Sequence, residues 1–136
     1  KEYRCTSIGS HNNIMAGCHV AHDCVIGDHV TLANNVLLGG HVRIRDHATL
    51  GGATALHHFV TVGHHAFVGG LTRCIHDVPP WMLLEGNPAR VKSVNVVGAS
   101  GHSTVVVSSH SWLMTVPPVC DEWRSVPGCV PRPGRT

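Results

Sequence analysis

Aliphatic residues recur at every sixth position from Ile8 onward without a slip: Ile8, Ile14, Val20, Ile26, Leu32, Leu38, Ile44, Leu50, Leu56, Val62 and Val68, with Cys74 closing the run. Four residues after each, the side chain is usually small or β-branched, as at Cys18, Cys24, Val30, Ala48, Thr54, Thr72 and Val78. Glycine, asparagine or aspartate often stands between them, as at Gly9, Gly27, Asp28, Asn34 and Gly63. A period of six suits neither the 3.6 of a helix nor the simple alternation of a strand. It suits a short strand, a turn, and the same again. The pattern predicts an all-β fold, a left-handed parallel β-helix of about four coils, in which three hexads close one coil. Coils then stack through parallel ladders about 4.8 Å apart. Glycine and asparagine are expected at the corners, where positive φ relieves the strain of this handedness. The spacing also puts His11, His29, His47 and His65 at one corner of four successive coils.

The register ends near "PPWMLLEGNPARVKSVNVVG". Three segments are expected: residues 1–79 as the β-helix, 80–98 as an exit segment, and 99–136 as an irregular or disordered tail. That tail, rich in Ser, Pro, Val and Trp, has no six-residue period and no helical face.

Composition adjusts this picture in a few places. Among 136 residues, aromatics make up 4% and glycines number 15, so the core is built from small aliphatics rather than rings. A net charge of +2 gives no case for nucleic acid or membrane-surface binding. No apolar run reaches the roughly 18 residues of a membrane span. No secretory signal begins the chain, and the six cysteines include no CxxC pair, so reduced thiols in the cytoplasm are expected.

Chemistry concentrates in "GCHVAHDC", Gly17 to Cys24. Cys18 and Cys24 fall on inward positions and read as small core hydrophobes. Trimeric β-helices of the gamma carbonic anhydrase type, which bind zinc between subunits, resemble each other in a pair of histidines five apart with a third upstream; no pair here has that spacing, so no metal and no cofactor are expected. General-base chemistry remains. His22 and Asp23 lie on one edge, Gly40 and His41 follow one coil later, and His57, His58 and Phe59 after that. A neutral imidazole suits removal of a hydroxyl proton near neutral pH. An adjacent carboxylate orients the ring, and a glycine N–H can hold an oxyanion. His22, Asp23 and Gly40 supply these three parts.

The strings "HVAHDC", "LANNVLLGGHV", "GGATALHHF", "DVPPWMLLEGNPA" and "VNVVG" resemble the UDP-N-acetylglucosamine O-acyltransferases, which catalyse the first step of lipid A synthesis. The resemblance runs from about Ser7 to Gly98. It implies a homotrimer with sites between neighbours, and transfer of an (R)-3-hydroxyacyl group from acyl carrier protein to the 3-hydroxyl of UDP-N-acetylglucosamine. By matching position it makes His22 the base, Asp23 its partner and the Gly40 N–H the oxyanion donor. It places His19, His41, His57 and Asn95 against substrate, and makes Gly70 the residue that sets acyl length. The resemblance also implies coils before Ser7 and a helical bundle after Gly98, so a truncated start and a shifted reading frame at the end are expected. Two other readings stay open: another acyltransferase of this fold, with a coenzyme A donor or an amino-sugar acceptor, and an inactive β-helix fragment.

Overall fold

A computed structural model describes residues 5–99. Over Ser7–Cys74 each hexad forms one two-residue strand and one four-residue corner. Twelve strands result, from β1 (Ser7–Ile8), β2 (Asn13–Ile14), β3 (His19–Val20) and β4 (Val25–Ile26) to β12 (Arg73–Cys74). Strand n pairs in parallel with strand n+3. Ile8 therefore lies beside Ile26, Leu32 beside Leu50, and Leu38 beside Leu56. Three parallel faces follow, and these residues form a β-solenoid of about four turns.

The core is the sixth-position set with its small partners. Ile26, Leu32, Leu38, Ile44, Leu50, Val62 and Val68 are buried, as are Cys24, Val30, Val36, Val42, Ala48 and Ala66. Burial of each larger aliphatic contributes about 1.5–3 kcal/mol. Two expected core residues differ: Ile8 is 48% exposed and Ile14 41%. They sit on the first of the described coils, where the described residues pack against them from one side only. Small polar groups at the inner corners are satisfied one coil away. Thr54 Oγ1 donates to the Gly69 carbonyl (3.0 Å), and the Cys24 thiol to that of Gly39 (3.2 Å).

The corners depart from expectation in residue type. One residue in every six takes positive φ: His11, Gly17, Asp23, His29, Asn35, His41, His47, Ala53, Phe59, His65 and Leu71. Only one of these is glycine. From His29 onward each of these residues has a fixed task that offsets the strain of a left-handed conformation, because its N–H points back to the preceding coil. His41 donates to the His22 carbonyl and Phe59 to that of Gly40, each at 3.0 Å. Most glycines stand earlier in the corner, where the next coil passes too close for a side chain. A Cβ on Gly39 would lie 2.9 Å from the His58 nitrogen.

The expected histidine ladder forms. Rings of His11, His29, His47 and His65 stack with centroids 4.9, 4.9 and 4.6 Å apart, and Trp81 extends the column at 4.1 Å. Trp81 Nε1 also donates to His64 Nε2 (3.1 Å).

The stack outlasts the six-residue register. Val78 bridges Val62 in parallel, and β13 (Met82–Glu85) adds to the face of β11 (Phe67–Val68), with Leu84 buried beside Val68. Pro79 and Pro80 thus end the spacing without ending the coil. β14 (Arg90–Val94) turns back antiparallel on β13, and a short helix, α1 (Val96–Ala99), follows. The tail expected after it lies outside the described residues. No helix among the described residues is long and apolar enough to cross a membrane.

Candidate active site

The corner between the face of β3 and the face of β4 gathers the chemistry. Successive coils place His22 and Asp23, then Gly40 and His41, then His58 and Phe59, at equivalent positions eighteen residues apart, the spacing of the Gly40–His58 bond. Asp23 has φ of 59° and His41 of 62°, so both take the left-handed conformation of this corner. His22 is exposed and Asp23 half-buried.

His22 Nδ1 lies 2.8 Å from Asp23 Oδ2. A carboxylate only accepts, so the proton of the neutral ring sits on Nδ1 and the Nε2 lone pair is free. Nε2 points at Gly40: a Cβ built there would stand 2.7 Å from it. Glycine is what gives the imidazole room. His41 Nε2 is 3.8 Å from the same carboxylate oxygen, beyond hydrogen-bond reach. The His41 ring meets His22 edge-on at 5.0 Å and stacks on Phe59 at 4.6 Å. His41 thus walls one side of the Asp23 carboxylate and the His22 ring.

The Gly40 N–H donates to His58 Nδ1 at 3.0 Å. Sequence reasoning set His58 on this edge without giving it a task. The signal that could have found it is the eighteen-residue interval, which brings its side chain against the Gly40 backbone.

The other expected residues are spread around the solenoid. His19 lies on β3, and His57 opens the corner that carries His58, with their rings edge-on at 5.0 Å. Gly70 is at the corner after β11, which is not the corner of His22. Asn95 is at the third corner, where its amide donates to the His65 carbonyl (2.8 Å) and accepts from the Gly98 N–H (3.2 Å). Within one chain, His22, Asp23, Gly40 and His41 come together, while Gly70 and Asn95 do not join them.

His22, Asp23 and His41 offer three ligand atoms within 4.8 Å of one another, a set that could hold a metal ion. A rule based on near-neighbour histidines does not see it, because one coil separates its members. The cysteines contribute nothing there. Cys24 and Cys74 are buried, and burial pushes the Cys74 thiol up to about 11.

Residues 5–40 match the family model described as bacterial transferase hexapeptide (six repeats). Over 97 residues the chain is 47% identical to the acyl-[acyl-carrier-protein]–UDP-N-acetylglucosamine O-acyltransferase of Gloeothece citriformis, covering 71% of this chain and 35% of that protein. The solved UDP-N-acetylglucosamine acyltransferase from Campylobacter jejuni is similar with a TM-score of 0.69 at 42% identity, over 71% of this chain and 38% of that one. A solved soybean serine acetyltransferase complexed with serine is similar with a TM-score of 0.62 at 30% identity, over 64% and 40%. The chain spans about a third of the length of the curated relatives it matches.

Proposed function

We propose, for a repeat segment related over about 70% of the chain to the UDP-N-acetylglucosamine O-acyltransferases, that it carries the acyl-transfer edge of such an enzyme. The reaction is transfer of an (R)-3-hydroxyacyl group from acyl carrier protein to the sugar 3-hydroxyl of UDP-N-acetylglucosamine. The observation that carries this reading is the 2.8 Å bond from His22 Nδ1 to Asp23, which leaves Nε2 as a base facing the bare side of Gly40.

That geometry supports the following steps. His22 Nε2 takes the hydroxyl proton as the sugar oxygen attacks the thioester carbonyl. Asp23 stabilises the imidazolium that forms. The negative charge on the carbonyl oxygen is held by the Gly40 N–H. Collapse breaks the C–S bond, and the Nε2 proton passes to the departing thiolate. His41 keeps Asp23 and the base in place, and His19 and His57 border the same edge.

Assembly of three copies is part of the proposal. Gly70 and Asn95 stand at corners other than that of His22, so a site using all of them needs corners from neighbouring copies. Exposed Val25 and Leu37 on the faces beside the edge favour such packing.

The test is turnover of UDP-N-acetylglucosamine by the chain with a hydroxyacyl carrier protein, and its loss by roughly 10²–10⁴ in His22→Ala. Near-normal kcat in that variant would remove His22 from the mechanism. The likeness to a serine acetyltransferase keeps a second donor in the assay. Turnover with acyl-coenzyme A alone would redirect the reading to another acyltransferase, and no turnover with either donor would favour an inactive fragment.

A further inference from the structure

Two imidazoles approach Gly40 from different directions. His22 turns Nε2 toward the place of the missing Cβ, and His58 accepts the backbone N–H at Nδ1, 3.0 Å away. The second contact is an instance of a device this solenoid uses elsewhere. At the histidine-ladder corner, Asp28 Oδ1 accepts the Ser10 N–H (2.6 Å) and Asp46 Oδ1 accepts the Asp28 N–H (2.9 Å). In each case a side chain reaches back one coil and caps an outward N–H that no strand satisfies. A carboxylate cap there touches no proposed chemistry. At Gly40 the capped group is the donor that acyl transfer needs.

Accepting at Nδ1 fixes neutral His58 with its proton on Nε2. The residue is exposed, so solvent is open to its ring. An N–H directed at one acceptor in line cannot also hold a carbonyl oxygen at full strength.

We propose that His58 is a gate on the oxyanion donor. In the resting site its imidazole occupies the Gly40 N–H, and the carbonyl oxygen of the acyl donor displaces it before His22 can act. His58 is then a positioning residue, acting on the reaction through Gly40. This rests on the acyl-transfer reading. It adds that the donor's binding includes the cost of breaking one N–H···N bond, and that the opened ring leaves its Nε2–H facing solvent or substrate.

The test reads that bond directly. In nitrogen-15-labelled protein, the Gly40 amide nitrogen should show a through-hydrogen-bond coupling to His58 Nδ1. Saturation with a 3-hydroxyacyl-pantetheine thioester should abolish it. His58→Ala should bind the thioester about 3- to 10-fold tighter, since a competing acceptor is gone, with KM changing more than kcat. His58→Gln keeps an acceptor and should bind as the unaltered chain does. Absence of the coupling in the free protein, its survival at saturation, or equal or weaker thioester binding by His58→Ala would each overturn the gate. If the coupling is present but no variant binds the thioester, the acyl-transfer reading fails and the gate with it.

Discussion

Gly40 and His22 occupy one space between them: a methyl group on Gly40 would stand 2.7 Å from Nε2 and 2.8 Å from Cε1 of the imidazole. Gly40→Ala must therefore move the ring, and the bond to Asp23 is what moves with it. The backbone of Gly40 is not in the left-handed region, so alanine is tolerated by the chain itself. The expected outcome is a fall in kcat of roughly 10²-fold, the scale of a misplaced catalytic group, with the unfolding temperature nearly unchanged. Retention of kcat would show that the ring has room this geometry denies it.

Leu71 has φ of 58° and is 79% exposed. A side chain in that region costs about 1–2 kcal/mol, and glycine returns about 0.5–1 kcal/mol of it through chain entropy. Leu71→Gly should stabilise the chain by roughly 0.5–1 kcal/mol, read as a higher midpoint in urea. Phe59→Gly should gain less, because the Phe59 ring stacks on His41. A lower midpoint in Leu71→Gly would mean that the leucine covers apolar surface the corner needs.

Gly70 is glycine without a positive φ, so the turn does not demand it. A Cβ there would lie 3.2 Å from the Gly52 carbonyl oxygen, tight but adjustable. If the residue sets acyl length, Gly70→Met should favour shorter donors, at about 0.8 kcal/mol per methylene left unburied. A mismatch of four carbons would then cost about 3 kcal/mol in kcat/KM. Gly70→Ala should keep the original preference. Equal losses on every donor in both variants would make the effect one of crowding against Gly52.

Activity should survive a chelator, because a base, a carboxylate and a backbone N–H complete the proposed chemistry. Excess zinc should inhibit reversibly, since His22, Asp23 and His41 present ligand atoms within 4.8 Å of one another. Loss of turnover with EDTA and recovery with zinc would reverse this assignment.

Peptide mapping after alkylation of the native protein at pH 8 should find Cys5 modified and Cys74 spared. The Cys74 thiol, pushed up to about 11 by burial, stays protonated there. In urea both should react. Rapid native labelling of Cys74 would show that the last coil opens.

The inward hexad set from Ile26 to Val68 was legible in the sequence, because one face of every strand must be apolar and the count of six never slips. The His22–Asp23 pair was legible for the same reason: counting alone puts both on one corner. What stayed hidden depends on backbone direction. Nothing in the composition of Phe59 or Leu71 announces positive φ, since the demand comes from an N–H that must reach the coil behind. Trp81 joins the histidine column sixteen residues after His65, where the register has already shortened. The eighteen-residue interval sets His58 one coil beyond Gly40, but the cap itself also needed the direction of the Gly40 N–H, which the interval alone does not give.

The parallel pairing of each strand with the third one after it makes this site a matter of arithmetic. Inserting eighteen residues into a corner beyond Phe59 would lengthen the solenoid by a storey and leave every residue on its own face. Inserting six between Asp23 and Gly40 would rotate all that follows by a third of a turn. Gly40 would then lie over a different wall, and His22 would face whatever residue had taken its berth. The pairing of His22 with Gly40 thus depends on a rule about length as much as on any single bond: many letters between the two can change, but not their number.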